Sequence, residues 1–165
     1  MTMGNTFAIV MTFVGFFLAM PCLWLLYGAL WPNALGRSQE RMLARPVVTF
    51  FVGVLTAGAF ILATAGLSQL NLAVPAMIFG TFGAGWALFG TAALARHIGS
   101  RMPSNLEIPW RAHLRGAIVL ELAFLFPLVG WILVLPISIL LGAGATTLSF
   151  FRAPVAVREK AEVLA

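Results

Sequence analysis

The chain has 165 residues, of which 61% are apolar and only 9% charged, whereas a soluble domain is about 25% charged. With a mean hydropathy of +1.01, a soluble monomer is excluded, and a single membrane domain over 1–165 without a separate extramembrane domain is expected. The net charge of +5 is spread over three short segments, which reads as membrane topology and not as nucleic-acid binding.

The first apolar run, Phe7 to Trp31, is preceded by Met1 to Thr6 without a basic residue, so it reads as a retained transmembrane helix and not as an export signal. The lone Cys22, beside Pro21, has no partner for an intrachain disulfide and is expected to be a small lipid- or helix-facing side chain. Tyr27 and Trp31 close the run as interfacial aromatics. After a basic segment holding Arg37, Arg41 and Arg45 come two more apolar helices, at about 47–67 and 72–95, separated by the uncharged Ser68-Gln69-Leu70-Asn71. A second basic segment carries Arg96, Arg101, Arg111 and Arg115, which are expected to contact lipid headgroups. Within it, Pro109 can open a helix with Trp110 and Leu114 on one stripe and Arg111 and Arg115 on another. This stretch is either an anchor on anionic headgroups or the snorkelling entrance to the next block.

The last block, Gly116 to Phe151, has 36 residues. As one helix it would be about 54 Å long at ~1.5 Å per residue, against a hydrocarbon core of about 30 Å. Arg152, Arg158 and Lys160 follow it. All ten positive side chains fall on one membrane face if the N-terminus is outside, three helices cross once each, and the last block goes in and returns. The predicted fold is therefore an all-α integral membrane protein, three transmembrane helices plus a C-terminal helical hairpin over 112–151, followed by a basic cytoplasmic tail over 152–165. The hairpin turn is placed at Pro127, Gly130 and Trp131, where proline removes a helix hydrogen bond and glycine permits a left-handed turn. A single long helix kinked at Pro127 and Pro136 is the alternative.

Chemistry-bearing residues are few. All five acids are glutamates, Glu40, Glu107, Glu121, Glu159 and Glu162, and with no aspartate the usual hydrolytic mechanisms are disfavoured. Glu121 alone lies well inside an apolar block, where an acid can relay a proton, bind a cation or pair with an arginine, or serve as a neutral structural carboxyl. Arg115 is near it in sequence but on another helix face. His97 and His113 lie in the second basic segment and are expected to be solvated or against headgroups. That position argues against a haem, and equally against a metal held with Glu107. Ser138 and Ser149 have no histidine at their depth, and no phosphate-binding or dinucleotide motif is present. The expectation is no enzyme activity, no cofactor and no metal. Small residues at four-residue spacing, Gly53 and Ala57, Gly80 and Ala84, Gly83 with Ala87 and Thr91, and Gly142 with Thr146, mark helix-packing faces, internal or between subunits.

Ala44-Arg45-Pro46, the glycine-rich third block, Arg115-Gly116, Phe126-Pro127-Leu128-Val129-Gly130-Trp131 and Leu141-Gly142-Ala143-Gly144-Ala145 follow one another in an order that resembles a small bacterial multi-pass membrane domain. That domain occurs alone or beside bactofilin-type, polymer-forming proteins. The resemblance covers about 43–152 and leaves the first helix, with Pro21-Cys22, outside it. It implies a bacterial inner-membrane protein with a scaffolding or accessory role, and carries over no catalytic residue.

The expected function is a non-enzymatic accessory or scaffold subunit that binds membrane lipids and a membrane protein partner or its own copies. Two alternatives compete with it. One is a small oligomeric channel or transporter using Glu121 and the broken hairpin. The other is a subunit of an electron-transfer or light-harvesting complex, which the 12% aromatic content allows but no embedded histidine supports.

Overall fold

A computed structural model describes residues 3–103 and 108–151. All regular elements among them are helices: α1 (Met3–Leu30), α2 (Pro32–Ala44), α3 (Pro46–Gln69), α4 (Ala73–Ser100), α5 (Pro109–Leu125), a π turn (Gly130–Val134) and α6 (Leu135–Phe151). Four stretches are long and apolar enough to cross a membrane, Gly4–Leu30, Pro46–Gln69, Ala73–Ser100 and Gly130–Phe151. Glu107 and the 152–165 segment, with Arg152, Arg158 and Lys160, lie outside the described residues.

Proline sets the helix starts. Pro32, Pro46 and Pro109 each take the first position of α2, α3 and α5, where the missing N–H is not needed and the fixed φ suits a helix. The residue before each is driven out of the helical region. Trp31 and Arg45 accordingly adopt φ of −130° and −147° and separate α1, α2 and α3 by one residue each. Between α3 and α4, Asn71 turns the chain at φ 57°, a left-handed conformation that asparagine tolerates better than most side chains.

α2 is the element that the charge pattern conceals. Its Ala34, Leu35, Ser38 and Met42 are buried, one helical face in a stretch that the sequence marks only as a basic segment. α2 packs on α4 and α6. Ser38 donates to Ser149 at 3.0 Å, and the Gln39 amide lies 3.5 Å from His97 Nδ1. The end of α6 and the basic end of α4 are thereby both joined to α2.

The interior is built from small residues. Ala92, Ala93, Ala95 and Ala117 are fully enclosed around Trp24, Leu35, Phe89 and Leu120. Backbones meet at three glycine crossings: Gly53 on α3 against Leu140 and Gly144 of α6, Gly90 on α4 against Gly142 of α6, and Gly99 on α4 against Gly116 of α5. A Cβ at any of them would collide with backbone of the facing helix. Where no water separates helices, such close approach supplies the van der Waals attraction that holds them. Hydroxyls add to it: Trp86 Nε1 donates to Thr147 at 3.0 Å, Thr147 lies 3.2 Å from Thr56, and Thr146 donates to the Trp86 carbonyl at 3.1 Å.

α5 leads into α6 through a break at 126–129 and the π turn. Gly130 approaches the carbonyls of Ala123 and Phe124 too closely for a side chain, and the Leu135 N–H reaches back to the Gly130 carbonyl in the wide register of a π turn. Pro136, one residue on, cannot supply the N–H an α-helical register would use.

Candidate functional site around Glu121

Glu121 faces inward from α5 because it shares a stripe with Ala117 and Leu120, which pack against α1 and α4. The residue is 6% exposed, and its Oε1 is buried without a hydrogen-bond partner. Arg115 is not its partner: Arg115 Nε donates to the Arg111 carbonyl one turn back, at 3.4 Å.

The carboxyl instead lines a cavity of about 210 Å³. α1 contributes Phe13, Phe16, Phe17, Met20 and Trp24, α4 Leu88 and Thr91, α5 Phe124, the π turn Trp131, and α6 Leu135 and Ile139. The Trp24 ring stands edge-on to Phe124 at 6.3 Å, and its indole N–H is also buried without a partner. The Thr91 hydroxyl donates to the Leu88 carbonyl at 2.8 Å. Among the described residues the wall thus holds one carboxyl, no cationic side chain and six aromatic rings.

The histidines divide. His97 lies near Gln39 on the partly open end of α4. His113, expected to be solvated, is instead 5% exposed. Gly28 of α1 makes the room, since a Cβ there would come within 2.8 Å of His113 Nδ1. Among the described residues no group of three or more His, Cys, Asp or Glu side chains is arranged to hold a metal.

The arginines expected at headgroups sit at helix ends. Arg96 Nη1 donates to the Pro32 carbonyl at 3.4 Å, Arg101 is exposed just after α4, and the exposed Arg111 guanidinium lies over the Trp110 ring at 5.3 Å. Of the small residues marked by spacing, Gly53, Ala87 and Gly142 are buried against other helices of the same chain. Gly83 meets the Phe60 ring, Gly80 meets Thr64, Ala57 shares their cleft, and Ala84 is exposed. Thr146 bonds the Trp86 and Gly142 carbonyls.

Sequence spacing did not single out one more stripe. Gly4, Ala8, Gly15 and Ala19 of α1 are all exposed, with nothing within 4 Å of a Cβ built at Gly4 or Gly15. At ~100° per residue they share one side of α1 with the exposed Cys22. Phe17, Met20 and Trp24, which face the cavity, lie on the other side.

Comparisons with protein-family models, with curated proteins and with solved structures found no match.

Proposed function

We propose that the protein is a non-enzymatic accessory or scaffold subunit of a bacterial inner membrane, docking a membrane protein partner or a second copy along the small-residue stripe of α1. In this reading α1, α3 and α4 cross the bilayer, α5 and α6 form the C-terminal hairpin, the N-terminus is outside and the C-terminus cytoplasmic. The contact between Ser38 and Ser149 supports the hairpin, because it brings the end of α6 to the basic α2. The resemblance over 43–152 agrees with an accessory role.

The stripe carries the proposal. Gly53, Gly90, Gly99, Gly116, Gly142 and Gly144 are consumed at internal crossings, and Gly36, Gly58 and Gly66 are open but have no small residue four positions away, whereas Gly4 with Ala8 and Gly15 with Ala19 keep that spacing on an exposed face, with nothing among the described residues within 4 Å of a Cβ built at either glycine. The test is the double variant Gly15→Leu, Ala19→Leu, extracted gently from its own membrane and weighed by native mass spectrometry. The expected result is loss of the partner or second copy with helical content unchanged; a complex of unaltered mass refutes the stripe.

The channel or transporter reading has one observation in its favour, the partnerless Glu121 carboxyl beside a cavity. Among the described residues the cavity wall offers only Glu121, Thr91 and the two indoles as polar groups, where an ion path needs several in series, so the subunit reading stands first.

A further inference from the structure

A carboxyl that is more than nine-tenths buried, with an oxygen lacking any hydrogen-bond partner, is out of balance with an apolar interior. In its ionised form it needs a counter-charge that the wall itself does not hold, since no cationic side chain among the described residues lines the cavity. The rest of the wall points the same way: the rings of Phe13, Phe17, Trp24, Phe124 and Trp131 surround the space, and aromatic faces attract a desolvated cation. The indole N–H of Trp24 adds nothing to a cation's grip, but its ring does.

We propose that this cavity binds a lipophilic tertiary or quaternary ammonium cation that enters from the bilayer, its charge set against Glu121 and the aromatic rings. A primary ammonium fits less well, because it is compact and strongly hydrated and would give up more water than an alkylated cation on entering a wall made mostly of aromatic and aliphatic side chains. A phosphocholine headgroup fits less well still, because its phosphate would meet no positive group. Of the cavity's lining residues, Phe13, Phe16 and Trp131 are exposed on the helix surfaces, which in the proposed arrangement gives it access from the bilayer. About 210 Å³ holds the cationic head and the first methylenes, leaving a longer tail outside among the acyl chains. The site does not depend on the subunit role, since the stripe proposed for docking is on the other side of α1.

The test compares three probes of equal chain length, dodecyltrimethylammonium, dodecanol and dodecylphosphocholine, on the protein in neutral maltoside micelles, with native mass spectrometry and tryptophan fluorescence as readouts. The cation is expected to bind saturably and at least ten-fold more tightly than either other probe, with at least a ten-fold loss in Glu121→Gln. Equal binding of cation and alcohol, or an unchanged affinity in Glu121→Gln, overturns the proposal. Phosphocholine binding as tight as the cation's overturns it too, in favour of a lipid headgroup. Should Glu121→Gln lose its helical signal or elute as aggregate, Trp131→Leu at the exposed rim takes its place, and must weaken the cation while sparing the alcohol. Gly15→Leu, Ala19→Leu is expected to bind the cation normally, so failure of the docking stripe and failure of this site are separable.

Discussion

Gly142 is buried against Ala87 and Thr91 only because it carries no side chain. Leucine there must force α4 and α6 apart, so Gly142→Leu is expected to destabilise the bundle by at least about 1–3 kcal/mol, the usual range for overpacking. Gly58 of α3 is the control, with nothing within 4 Å of its would-be Cβ; Gly58→Ala is expected to be neutral or to stabilise by up to about 1 kcal/mol through helix propensity. Reversible unfolding in micelles, followed by circular dichroism, measures both, and equal effects would show that crossing and open glycines are not distinguished as described. Spacing in the sequence picked out Gly53, Gly83 and Gly142, yet passed over Gly90, Gly99, Gly116 and Gly144 as packing positions. A four-residue interval defines a helix face, but it carries no information on what lies opposite. Glu121 shows the same limit: its place in an apolar block is written in the sequence, and its lack of a partner is not.

Among the elements, α2 repays attention because two patterns overlap in it. Arg37, Arg41 and Arg45 dominate a charge count, while Ala34, Leu35, Ser38 and Met42 keep the interval of a buried helical face. Leu35 is fully buried in the same apolar cluster as Ala92 and Ala95, so Leu35→Asp places an unpaired acid in the core. The expected outcome is release of α2 and faster tryptic cleavage after Arg37 and Arg41 in the folded protein, detected by limited proteolysis and mass spectrometry. Unchanged cleavage would mean that α2 is held by something other than this face. The break between α5 and α6 was readable from Pro127, which acts on its own backbone, whereas Gly130 adopts no left-handed conformation and serves instead by its lack of a side chain. The π turn that follows was not, because its register depends on how Gly130 seats against the Ala123 and Phe124 carbonyls.

For the whole molecule, the proposed arrangement sets a definite side for the C-terminus. A reporter fused after Ala165 should be active in its cytoplasmic form and inactive in its exported form; the opposite result would remove the hairpin or invert the protein. The sequence by itself determined that the chain is helical and apolar enough for a membrane, where its long apolar runs lie, and that Pro109 opens a helix. Hydropathy and proline stereochemistry are local properties, summed or read residue by residue, and need no knowledge of distant neighbours. Only the tertiary structure decided that α2 docks by one face, that Gly28 makes room for a buried His113, that glycines of α3, α4, α5 and α6 meet backbone to backbone, and that Glu121 faces a ring-lined cavity without a partner. Each of these is a relation between residues far apart in the chain, settled by which helix surfaces fit at close range, and a one-dimensional pattern does not contain that fit.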